Sequence, residues 1–120
     1  METFEFDSNG GYIATLTDEE LIIECKGIKG LLFFYRVKPR TAHIPLAQIV
    51  AIDVKSAGMR QGYGRFITPE LEEYPSSSYM AMHDTNSIIT DNDEEDELLH
   101  ILIQKITKKH KHIPVNTKKS

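Results

Sequence analysis

The residues best suited to chemistry are the acids of Asp91-Asn92-Asp93-Glu94-Glu95-Asp96-Glu97. Asp91, Asp93, Glu95 and Glu97 alternate by two, like the oxygen ligands in the first half of a calcium loop. The glycine that such a loop needs at its sixth position is missing, and a helix start explains the acids more simply, because carboxylates favour the positive end of the helix dipole. His110 and His112 stand beside Lys109 and Lys111 and suit weak adventitious metal contact at most. No Cys/His pair has zinc spacing. No metal site and no cofactor are expected.

Covalent catalysis finds no anchor either. The chain holds no G-x-S-x-G, no phosphate-binding P-loop, no H-E-x-x-H and no G-x-G-x-x-G opening a helix. Gly62-Tyr63-Gly64 lacks the helix N-terminus that would supply donors to a phosphate, and it reads as a bend in a strand. His83-Asp84 sits at a turn near Asn86, but a triad needs a nucleophile. Nothing marks Ser76, Ser77, Ser78 or Ser87 as one. No catalytic residue is named, and a non-enzymatic protein is expected.

The acids run into Leu98-Leu99-His100-Ile101-Leu102-Ile103-Gln104-Lys105-Ile106 and then Lys108-Lys109-His110-Lys111-His112. Acid, apolar, base is the order of one amphipathic helix, expected over about 91–111. Asp91, Asn92 or Asp93 can cap it. At 100° per residue Leu98, Leu99, Leu102, Ile103 and Ile106 share a stripe, and Ile101 falls well off it. Pro114 ends helical potential, and 112–120 is expected to be a disordered basic tail.

Before the helix the pattern is short strands and turns. Residues 1–9 read as a flexible lead-in. Strands are expected over 11–17, 21–25, 63–68, 78–83 and 87–90, with a short edge piece at His43–Leu46, where Pro45 lacks a donor. Residues 47–55 alternate, with Val50, Ile52 and Val54 on one side and Ala51, Asp53 and Lys55 on the other. About seven strands on tight turns followed by one helix describe an α+β, mainly β fold, with antiparallel pairing and a helix over an open face or end. One domain of 10–110 fits the 120 residues.

Composition narrows the setting. Residues 1–90 carry 8 basic and 12 acidic side chains, and residues 91–120 carry 6 of each, sharply separated. A net charge of −4 opposes binding of nucleic acid by the whole surface. No apolar run reaches transmembrane length. The acidic N-terminus reads as neither a secretory signal nor a transit peptide. The single Cys25 lies in an alternating strand and reads as a buried thiol. The cytoplasm is the expected compartment.

Leu31-Leu32-Phe33-Phe34-Tyr35-Arg36-Val37 is too uniformly apolar for a half-exposed strand. It is either a buried strand or a hydrophobic loop that meets something. As an interface, Leu32, Phe33, Phe34 and Tyr35 with Arg36 have the composition enriched at protein contacts, and Ile101 adds to that side. Lys26, Lys29, Arg36, Lys38 and Arg40 around the apolar run leave docking on anionic lipid as an alternative.

Three pieces carry a resemblance: Gly11 to Ile23, the segment Ile44-Pro45-Leu46-Ala47-Gln48-Ile49, and Ala57-Gly58 followed by Gly62-Tyr63-Gly64-Arg65-Phe66. They resemble, in turn, the opening hairpin, the I-P-L-x-x-I segment and the turn and next strand of the bacterial pleckstrin-homology-like (PH-like) domains of unassigned function. The resemblance spans about residues 10 to 107 and departs between Gly27 and Arg40. It implies a strongly bent antiparallel sheet or partly open barrel of about seven strands, capped by the C-terminal helix. It implies a scaffold for binding peptides, proteins or lipid headgroups, often self-assembling and rarely enzymatic. The family's lipid site is basic, in the loop of the first hairpin. Here Asp18-Glu19-Glu20 is acidic, so that site does not carry over. The expected function is a non-enzymatic assembly module whose partner is itself or another protein. A peripheral membrane protein and a small-molecule-binding protein or small enzyme are the alternatives.

Overall fold

A computed structural model describes residues 1–29, 35–59, 61–71 and 86–118. The strand expected at 78–83 lies outside these. The first sheet is an antiparallel meander of β1 (Glu2–Phe6), β2 (Tyr12–Leu16), β3 (Glu20–Cys25) and β6 (Arg40–Pro45). Its register places Phe4, Ala14, Ile23 and Ala42 in one row, all buried. Directly opposed residues share a face, so this row forms the inner wall. Thr17 closes the β2–β3 turn, its hydroxyl accepting from the Glu20 N–H at 3.0 Å. Pro45 ends edge strand β6, as its missing donor requires.

Residues 1–9 are a correction to the expected flexible lead-in. Glu2-Thr3-Phe4-Glu5-Phe6 alternates, and Phe4 and Phe6 are buried, so the segment pairs with β2 along its whole length. The chain then turns through Ser8–Gly10, where Gly10 and Gly11 have φ of 89° and 111°. A side chain on Gly10 would also strike the Gly27 carbonyl.

Between β3 and β6, β4 (Ile28–Lys29) and β5 (Tyr35–Val37) pair with each other as a separate two-stranded ribbon. It prolongs the β3–β6 hairpin beyond the Cys25–Arg40 pair.

The second sheet is ordered β10 (Val115–Lys118), β7 (Ala51–Lys55), β8 (Gly62–Ile67), β9 (Ser87–Thr90). Every residue of β8 and β9 is buried, so both faces of these strands are covered and no simple alternation is visible in them. The tail is a second correction: Val115–Lys118 forms a strand parallel to β7 instead of a disordered end. The outer backbone of β7 needs partners, and the Ile52 N–H donates to the Pro114 carbonyl at 2.9 Å.

Helix α1 (Asp93–Lys109) follows β9 almost at once. Asn92 caps it, accepting from the Glu95 N–H at 2.9 Å. Leu99, Leu102, Ile103 and Ile106 are buried, Leu98 is partly buried and Ile101 faces out, as the stripe predicts. The helix spans both sheets. Leu99 packs over Gly64 of β8, where an added Cβ would lie 2.8 Å from its methyl groups. Lys105 pairs with Glu2 of β1 at 3.0 Å, and Lys109 with Asp18 of the β2–β3 turn at 3.0 Å. One apolar core joins the two sheets and α1. The fold is thus mainly β with one C-terminal helix. The described residues hold ten strand segments where about seven were expected. No helix among the described residues is long and apolar enough to cross a membrane.

Candidate functional site

The acidic run is divided between inside and outside. Glu95 is 9% exposed and points into the junction of β1, β9 and α1. Its carboxylate accepts from the Asp7 N–H at 2.8 Å, the Ser8 N–H at 3.2 Å, the Asp91 N–H at 3.0 Å and the Ser8 hydroxyl. Asp96 accepts from the Ala57 N–H at 2.9 Å and the Thr90 hydroxyl at 2.6 Å. These acids are occupied by protein donors, and no cluster of three metal-ligating residues exists among the described residues. Calcium is therefore expected to leave the melting temperature unchanged. A site filled at one hundred times its dissociation constant would add about 2.7 kcal/mol, readily seen by differential scanning fluorimetry. Asn92-x-x-Glu95 has the spacing of a capping box, the one sequence signal that points to Glu95.

A second polar group lies across the second sheet. Asn116 opposes Asp53, Asp53 opposes Arg65, and Arg65 opposes Ser87, so one row crosses all four strands. Arg65 is 1% exposed and Asp53 only 6%. Asp53 lies on the side of β7 that carries Ala51 and Lys55, and it is buried there, accepting from the Asn116 amide at 3.0 Å with the Lys118 ammonium at 4.0 Å. The Ser87 hydroxyl has no hydrogen-bond partner among the described residues. Tyr63 shares this face; burial pushes its phenol above the ordinary value, the Asp53 charge adds to the rise, and Arg65 opposes it. Buried charge balanced within a sheet serves register and strand order as well as it serves chemistry. No local pattern around Asp53 or Arg65 foretells the row, because it depends on which strands become neighbours.

Two surface clefts meet at the β2–β3 turn. One, of about 620 Å³, is lined by Thr17, Asp18, Glu19, Glu20 and Pro45. The other, of about 510 Å³, includes Glu2, Asp18, Lys105, Lys108 and Lys109. The tertiary fold thus brings the helix lysines to the acidic turn. The Lys109 ammonium, by hydrogen bond and by charge, holds the Asp18 carboxyl below the ordinary carboxylate value.

Of the interface candidates, Leu32, Phe33 and Phe34 lie outside the described residues. Tyr35 and Arg36 open β5, with Tyr35 opposite Lys29 in the ribbon. Ile101 is 39% exposed at the middle of α1. No protein-family model matches the chain, and no curated protein or solved structure matches it significantly.

Proposed function

We propose that the chain is a non-enzymatic PH-like binding and assembly module that acts through protein–protein contact, with self-association as its principal mode. The fold supports the PH-like reading in its order. With the β4–β5 ribbon and β10 set aside, there remain a four-stranded meander, a three-stranded meander and a helix across both. The observation that carries the assembly reading is the ribbon. Its two strands pair with each other apart from both main sheets, and the apolar run lies in the chain between them. Leu31 to Tyr35 are five consecutive bulky apolar residues followed by Arg36, a composition enriched at protein contacts.

The test is size-exclusion chromatography with light scattering on the wild type, Phe33→Glu and Phe34→Glu. The wild type is expected to be oligomeric. At least one variant is expected to lose oligomeric mass with an unchanged melting temperature. Unfolding of both variants would make the run ordinary core, and a wild type that stays monomeric at high concentration would overturn self-association. Salt-sensitive co-sedimentation of that monomer with anionic vesicles would then favour the membrane reading.

A further inference from the structure

The outward stripe of α1 reads Glu94, Glu97, Ile101, Lys105, Lys108, all exposed. At 100° per residue these five project within about 40° of the Ile101 direction. They stand directly opposite the buried stripe of Leu99, Leu102, Ile103 and Ile106. Ile101 is the midpoint of the helix, with eight residues on each side between Asp93 and Lys109. Glu97 and Lys105 are each four residues from it, and Glu94 and Lys108 are each seven. Every acid on the stripe has a base at the mirrored position.

The isolated helix accounts for only part of that arrangement. Surface charges support a helix when acid and base are three or four residues apart. Here the nearest acid and base on the stripe, Glu97 and Lys105, are eight apart. The macrodipole favours Glu94 in the first turn and Lys108 in the last, but it falls off within those turns, and Glu97 and Lys105 lie beyond them. Among the described residues Glu94, Glu97 and Lys108 form no ion pair, and Lys105 pairs only with the half-exposed Glu2.

We infer that this stripe is an isologous contact between two copies of the chain, packed α1 against α1 in antiparallel fashion about a two-fold axis at Ile101. The inference rests on the self-association reading and adds to it a second, polar-rimmed contact distinct from the apolar run. In such a pair Ile101 meets its own counterpart. Glu97 faces the other copy's Lys105, and Glu94 faces its Lys108, with the two reciprocal pairs repeated by symmetry. A residue on the axis meets itself, so only an uncharged one avoids self-repulsion there, and Ile101 is the one apolar residue of the stripe. A parallel pair would set acid against acid and base against base, so the charge order selects the antiparallel one.

The test is a charge exchange at exposed positions. E94K/E97K and K105E/K108E each give a stripe of one sign, which repels its own copy. Each variant alone is expected to show dimerisation through this contact weakened about tenfold or more at low salt. An equimolar mixture should regain the mass, because the two stripes now attract. A second readout is crosslinking. Ile101→Cys is expected to give a covalent dimer with oxidised glutathione at low protein concentration, since facing Cα atoms of closely packed helices lie within disulfide reach. His112→Cys, exposed and away from the axis, should not. Cys25 is buried and leaves this readout clean. If both charge variants keep the wild-type mass and Ile101→Cys does not crosslink, the helix contact is wrong. A loss of mass in Phe33→Glu would still uphold the assembly reading. If the Phe33 and Phe34 variants keep their mass while the charge exchange acts, the helix contact stands and the ribbon contact falls.

Discussion

Replacing Glu95 by alanine is expected to destabilise the domain by about 3–5 kcal/mol, because several donors lose a shared acceptor and each buried orphan costs roughly 1–3 kcal/mol. Three backbone N–H groups and the Ser8 hydroxyl converge on this one carboxylate. They come from the β1–β2 connection and from the residue before the helix cap, so the side chain ties the first strand of the fold to its last helix. Urea unfolding followed by circular dichroism checks the size of the effect. Hydrogen exchange checks its location: protection should fall first at Asp7, Ser8 and Asp91. Glu95→Gln keeps shape and one carbonyl acceptor and should lose less. A loss below about 1 kcal/mol for Glu95→Ala, within the range of ordinary surface changes, would mean that water replaces the carboxylate without penalty.

Leu102→Ala is expected to cost about 2–5 kcal/mol, the range for deleting a buried leucine whose site cannot collapse. Leu102 is fully buried at the centre of the inward stripe, flanked by Leu99 and Ile106. The helix approaches β8 closely over Gly64, so the surroundings have little freedom to fill the space. Thermal and denaturant unfolding measure the loss. Near-wild-type stability would mean that α1 contributes little to the core, against its packing on both sheets. Ile101→Ala, one residue away on the opposite side, should leave the isolated monomer's stability within about 0.5 kcal/mol of wild type, as for ordinary surface positions.

The helix, its cap region, its buried stripe and the outward Ile101 were all legible in the sequence. Each depends on spacing along one segment, and a helix satisfies its backbone within itself. The strands with alternating sequences, β2, β3 and β7, were legible for the same reason, as was Pro45 at an edge. The mainly β class with one closing helix followed from their order.

What the tertiary structure alone decided is pairing. Val115–Lys118 carries a weak local signal and becomes a strand because β7 offers an open edge, and the short alternation of Glu2–Phe6 is fixed as a strand by pairing with β2. Asp53 looks solvent-facing in its own strand and is buried because Asn116 and Arg65 are brought opposite it. Glu95 looks like one more acid at a helix start, and becomes the anchor of the N-terminal turn because β1 ends beside it. Sequence periodicity reports which face of an element is apolar. It carries no record of which distant backbone donors and charges will arrive at that face, and those long-range partners separate a surface carboxylate from a buried structural one.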